Sequence, residues 1–112
     1  MKSLNIPYMI ELLQEATCRL GNLGSSYELT LAPAFATVID TLQAPAYHRH
    51  HQGLVLSAAR QRITTAEKHV IRGMIEDARI TFDQMPDLLR IRIICAELLD
   101  MINDTSEEMK RR

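Results

Sequence analysis

A chain of 112 residues suits one domain, and 46% hydrophobic with 24% charged residues is the balance of a folded chain rather than a disordered one. The formal net charge of −1 argues against a dedicated nucleic-acid coat. The longest apolar runs, such as Leu54-Val55-Leu56 and Ile93-Ile94-Cys95, are far short of the roughly 20 residues that a membrane span needs, so no membrane contact is expected. No apolar stretch follows Lys2, so no secretory leader is expected. Cys18 and Cys95 read as two reduced, buried thiols of a cytoplasmic protein.

Strand signals are poor. Aromatic residues make up 4% of the chain, no Asn-Gly or Asp-Gly turn joins alternating segments, and the one short alternation, Tyr27–Leu31, runs into Pro33. Helical periodicity recurs instead. A first helix is predicted over 4–20, capped by Ser3 or Asn5 and carrying Pro7 in its first turn. Ile6, Met9, Leu13, Ala16 and Leu20 form its apolar stripe, and Gly21 is expected to end it at positive φ. A second helix is predicted over 31–43, capped by Thr30. A start at Ser25 or Ser26 would leave Pro33 inside the helix, at a cost of roughly 3 kcal/mol. A third is predicted over 47–63, with Thr64-Thr65 breaking it and Thr64 and Glu67 spaced as a capping box for a fourth over 66–84.

The last helix is predicted over 86–109, with Asp83 as a possible cap. Leu88, Ile91, Cys95, Leu98, Ile102, Thr105 and Met109 alternate at +3 and +4, a seven-residue repeat. The expected fold is a single domain over 1–112: an all-α, compact bundle of four to five amphipathic helices. The apolar face of the last helix is wider than a small bundle needs. A homodimer is therefore expected, with Leu88, Ile91, Cys95, Leu98 and Ile102 at the contact.

Two clusters could carry binding. His48-Arg49-His50-His51 puts three imidazoles in four residues, and on a helix His48 and His51 share a face. A structural zinc site wants four ligands, usually with Cys or acidic partners, and no CxxC, HExxH or Glu-x-x-His is present; no metal or other cofactor is expected. A solvated helix start and a pH-sensitive interface are the other readings. The second cluster is basic. Between Arg49 and Arg79 stand Arg49, Arg60, Arg62, Lys68, Arg72 and Arg79 against Glu67, Glu76 and Asp77, while both flanks are net acidic. Such a segment suits an acidic protein, a nucleic acid or plain solvent.

A helix-turn-helix over 58–72 fits poorly: the turn position falls on Ile63 rather than glycine, and two expected core positions fall on His69 and Arg72. Residues 63–71 resemble the opening of a LuxR-type DNA-binding helix pair over nine residues, but the second half of that pattern does not follow. Phosphate loops and nucleophile elbows are absent from the sequence. The expectation is a small non-enzymatic regulatory or adaptor protein that binds an unidentified protein through its helix faces. The candidate contacts are Arg49, Arg60, Arg62, Lys68, Arg72, Arg79, His48 and His51. The alternative is a DNA- or RNA-binding regulator using 49–79.

Overall fold

The computed structural model describes residues 5–43 and 49–111, with the side chains of all of these except 25, 49–52 and 108–111. Four α-helices follow in chain order: α1 (Ile6–Leu20), α2 (Ser25–Gln43), α3 (Arg49–Glu76) and α4 (Met85–Arg111). No strand occurs among the described residues. The all-α expectation holds; the division into five helices does not.

Asn5 caps α1, its side-chain oxygen accepting the Tyr8 N–H at 3.1 Å, and Pro7 occupies the first turn as expected. Gly21 does not reverse the chain: its φ is −59°. The N–H groups of Gly21, Asn22 and Leu23 fall back on carbonyls three residues earlier, at 3.2, 3.1 and 3.0 Å, and tighten one more right-handed turn. The reversal comes at Gly24, whose φ of +100° is one that other residues rarely adopt.

Helix α2 then starts at Ser25, not at 31, and contains Pro33. Packing overrides the proline. The early start buries Tyr27 and Leu31 in line with Phe35, Val38 and Leu42, each large side chain contributing roughly 1.5–3 kcal/mol. Pro33 leaves the Leu29 carbonyl without its usual donor, but both residues lie on the exposed side, where water replaces the bond. Thr30, expected as the cap, is mid-helix and donates its hydroxyl to the Ser26 carbonyl at 2.9 Å.

The expected break at Thr64-Thr65 is absent, and one helix runs from Arg49 to Glu76. The Thr65 hydroxyl donates to the Gln61 carbonyl at 3.0 Å, the mid-helix habit of threonine, rather than capping. The buried stripe Leu56, Ala59, Ile63, Ala66, Val70 and Gly73 passes through the site at unbroken +3, +4 spacing. A turn over 77–84 follows. Gln84 rather than Asp83 organises it: its side chain accepts from the Thr81 N–H at 3.0 Å and donates to the Asn22 carbonyl at 3.2 Å.

Each helix packs on two neighbours, α1 on α2, α2 on α3, α3 on α4 and α4 on α1. The pairs Tyr8–Glu97, Glu15–Arg90 and Arg19–Asp87 show α1 and α4 running antiparallel, since one number rises as the other falls. The result is an up-down-up-down four-helix bundle. At 28 and 27 residues, α3 and α4 set the 47 Å long axis; α1 and α2 are shorter and cover the end that holds the 77–84 turn. No buried polar side chain lacks a partner among the described residues.

The five residues read as a dimer contact, Leu88, Ile91, Cys95, Leu98 and Ile102, are all 0% exposed inside this one chain. Helices α1 and α3, both antiparallel to α4, cover the stripe that was expected to meet a second copy. The apolar surplus of α4 lies elsewhere, at exposed Leu89 and Ile93, one turn apart. Cys95 is buried as expected, which pushes its thiol up to about 12, but Cys18 is exposed.

Candidate functional site

The basic segment does not form one face. Arg60 and Lys68 line a depression of about 430 Å³ on the outward side of α3, with Ser57, Gln61 and Thr64. Arg62 and Arg72 turn toward α2 instead, with Thr65 and His69 between them on one edge of α3. Residues 60 and 62 are about 200° apart around the axis, whereas Lys68 and Arg72 are one turn apart and Gln61 and Thr65 border both depressions. His48 lies outside the described residues, and Arg49 and His51 stand in the first turn of α3. Among the described residues no three His, Cys, Asp or Glu side chains converge on a metal-sized site.

The α2-facing edge of α3 borders a groove. Its first part, about 460 Å³, lies between Thr30, Leu31 and Ala34 of α2 and Ala58, Arg62, Ala66 and His69 of α3. Its second part, about 390 Å³, continues past Ser26 and Tyr27 on one wall and Arg72 and Glu76 on the other, and ends at Asp77 and Arg79. Thr30 and His69 belong to both parts, so the groove is continuous. Small residues on both walls keep it open. Among the described residues neither Arg62 nor Arg72 has an ion-pair partner.

One end of the groove is built around Tyr27. Its ring lies across α3 where Gly73 has no side chain; a methyl group there would fall on the Tyr27 hydroxyl and ring edge. The hydroxyl donates to Asp77 Oδ2 at 2.8 Å, and the ring meets His69 edge-on, with centroids 5.7 Å apart. Burial, reinforced by Asp77, pushes the Tyr27 hydroxyl up to about 12. Arg79 and the Tyr27 hydroxyl together hold the Asp77 carboxyl down to about 2. Arg79 Nε reaches Asp77 Oδ1 at 3.1 Å and its backbone N–H donates to the same oxygen at 3.0 Å. Arg79 is thus committed to the fold, unlike Arg62 and Arg72.

A second charged cluster seals the α1–α4 seam. Glu15 accepts from Arg19 at 2.9 Å and from Arg90 at 2.7 and 3.0 Å, while Arg19 also donates to Asp87 at 2.9 Å. Arg90, then Arg19, hold the Glu15 carboxyl down to about 2. Every member of this cluster has a partner, which makes it a fastening between helices rather than a receptor for a ligand.

Sequence reading finds Arg62 and Arg72 but not Tyr27, Gly73 or Asp77. Gly73 was legible as the next step after Val70 in the inner stripe of α3, and Tyr27 as the step before Leu31 in α2. The late start of α2 hid Tyr27, and Gly73, inside the helix predicted over 66–84, carries no side chain to mark the stripe. No known protein family, no curated protein and no solved structure matches the chain.

Proposed function

We propose that this chain is a non-enzymatic adaptor of the cytoplasm that binds another protein, with the α2–α3 groove as its working surface. The observation that carries the reading is the pair Arg62 and Arg72, cations unpaired among the described residues, on the rim of a continuous groove with small, partly apolar walls. Such a combination fits a protein partner, since apolar contact supplies affinity and the charges select and orient. The nucleic-acid alternative is the weaker one. Of the four cations on α3 whose side chains are described, Arg60 and Lys68 border a different depression from Arg62 and Arg72, Glu76 and Asp77 stand at the groove's end, and a helix continuous through Thr64-Thr65 leaves no helix-turn-helix over 58–72. Association between two copies is proposed through Leu89 and Ile93 of α4, the exposed part of its apolar surplus. No helix among the described residues is long and apolar enough to cross a membrane.

The test is affinity capture from a lysate with nuclease in one arm, and light scattering on the purified chain. The adaptor reading predicts protein partners that survive nuclease treatment. Captured material that vanishes with nuclease would transfer the working surface to the nucleic-acid alternative.

A further inference from the structure

We infer that the α2–α3 groove receives an acidic α-helix of a partner protein, laid in as a fifth helix of the bundle. The inference rests on the adaptor reading and specifies its partner. Three observations carry it.

The first is shape. Thr30 and Ala34 on one wall and Ala58, Thr65 and Ala66 on the other project little, so a third backbone can approach closely between two antiparallel helices. From Ala58 to Asp77 the groove follows α3 for about 28 Å, some five helical turns at 1.5 Å per residue.

The second is the spacing of hydrogen-bond donors. Arg62, His69 and Arg72 stand on one edge of α3 at steps of +7 and +3, roughly 10 Å and 5 Å along the axis. Carboxylates at i, i+7 and i+10 of a docked helix lie on one face and match those steps. An extended strand covers 10 Å in about three residues, and side chains three apart point to opposite faces, so it cannot present two acids to Arg62 and His69 together.

The third is what the groove lacks for a nucleic acid. Of its two rings, Tyr27 is 4% exposed and offers no face for base stacking, and His69 is set edge-on against it. Two arginines, unpaired among the described residues, and one histidine are few for phosphate contacts.

The experiment is fluorescence anisotropy on the full chain with four probes. The first is a labelled amphipathic peptide of about 20 residues with an Ala/Leu stripe and Glu at i, i+7 and i+10, long enough to fill the groove. The second carries Lys for Glu, the third two central prolines, and the fourth is a single-stranded oligonucleotide. The acidic helix is expected to bind, with the Lys and proline peptides at least about tenfold weaker. Arg62→Glu/Arg72→Glu should weaken it by about tenfold or more, whereas Arg60→Glu/Lys68→Glu, on the outward side, should not. Circular dichroism confirms that each variant is folded; all four side chains are exposed or on an open rim. Equal binding of the proline peptide, tighter binding of the oligonucleotide, or no binding of the acidic peptide overturns the inference. If the peptide fails while a nuclease-resistant protein is still captured from lysate and lost in Arg62→Glu/Arg72→Glu, the adaptor reading stands and only the acidic helix falls. If no protein is captured either, the adaptor reading falls with it.

Discussion

Replacing Gly73 by Ala separates two forces that act in opposite directions. In a helix interior Ala is favoured over Gly by about 1 kcal/mol, so propensity alone predicts a stabilised protein. The structure predicts the reverse. The new methyl group would collide with the Tyr27 hydroxyl and sit 3.0 and 3.1 Å from Cε1 and Cζ of its ring, tighter than most real contacts. Tyr27 is 4% exposed and cannot simply swing into water, so the ring must displace its packing and loosen its 2.8 Å bond to Asp77. Overpacking of a core costs about 1–3 kcal/mol, and a weakened hydrogen bond adds about 1 kcal/mol. Subtracting the propensity gain leaves a net loss of about 1–3 kcal/mol. Urea unfolding of Gly73→Ala measures it. The same change in a Tyr27→Leu background, which lacks the hydroxyl and outer ring atoms, should instead stabilise by up to about 1 kcal/mol. A Gly73→Ala protein as stable as the parent, with Tyr27 present, would refute the placement of that ring and with it the closed end of the groove.

Three further outcomes are expected. Pro33→Ala should stabilise the chain by about 1–2 kcal/mol in thermal or urea unfolding, since it restores a helical donor to the Leu29 carbonyl and loses only the proline's restriction of the unfolded chain. A thiol reagent should label Cys18 rapidly, while Cys95, 0% exposed, reacts only as the protein unfolds; two equally fast thiols would contradict the packing of α4. Glu15 and Asp77 both hold carboxyl groups at about 2, below the ordinary 4.5 and 3.8, so their contribution is complete above roughly pH 5 and is lost as the pH falls toward 2. Acid titration of unfolding should show that loss, and Glu15→Gln should be less stable at neutral pH with a shallower fall across the same window.

Much of the fold was legible because amphipathic helices write their inner face at +3 and +4. The stripes Met9–Leu13–Ala16–Leu20 and Leu88–Ile91–Cys95–Leu98–Ile102 are buried as read. The errors arose where a local signal was weighed without the packing that outvoted it. Pro33 and Thr64-Thr65 are respectable stop signals, yet Tyr27 and Leu31 in one case, and Ala59 through Val70 in the other, gain more from a continued helix than the signals cost. Gly21 misled for a related reason: the chain stays right-handed until Leu23 is buried, and only then turns at Gly24. The stripe read as a dimer contact is buried inside the chain, because one sequence cannot say whether an apolar stripe meets its own chain or a copy. The site was half legible. Arginine enrichment of 49–79 is visible, but which of those arginines already has a partner depends on Asp77, which holds Arg79 within the 77–84 turn and is itself held by Tyr27 from α2.

The central claim is that the groove, and not the basic segment as a whole, recognises the partner. Its most direct test compares nuclease-treated capture by three folded proteins: the parent, Arg62→Glu/Arg72→Glu, and Arg60→Glu/Lys68→Glu. The account predicts the same captured protein with the parent and the outward-face variant, and its loss with the groove variant. Capture that survives reversal of Arg62 and Arg72 but fails on reversal of Arg60 and Lys68 would place the working surface at the Arg60–Lys68 depression beside the groove and contradict the account.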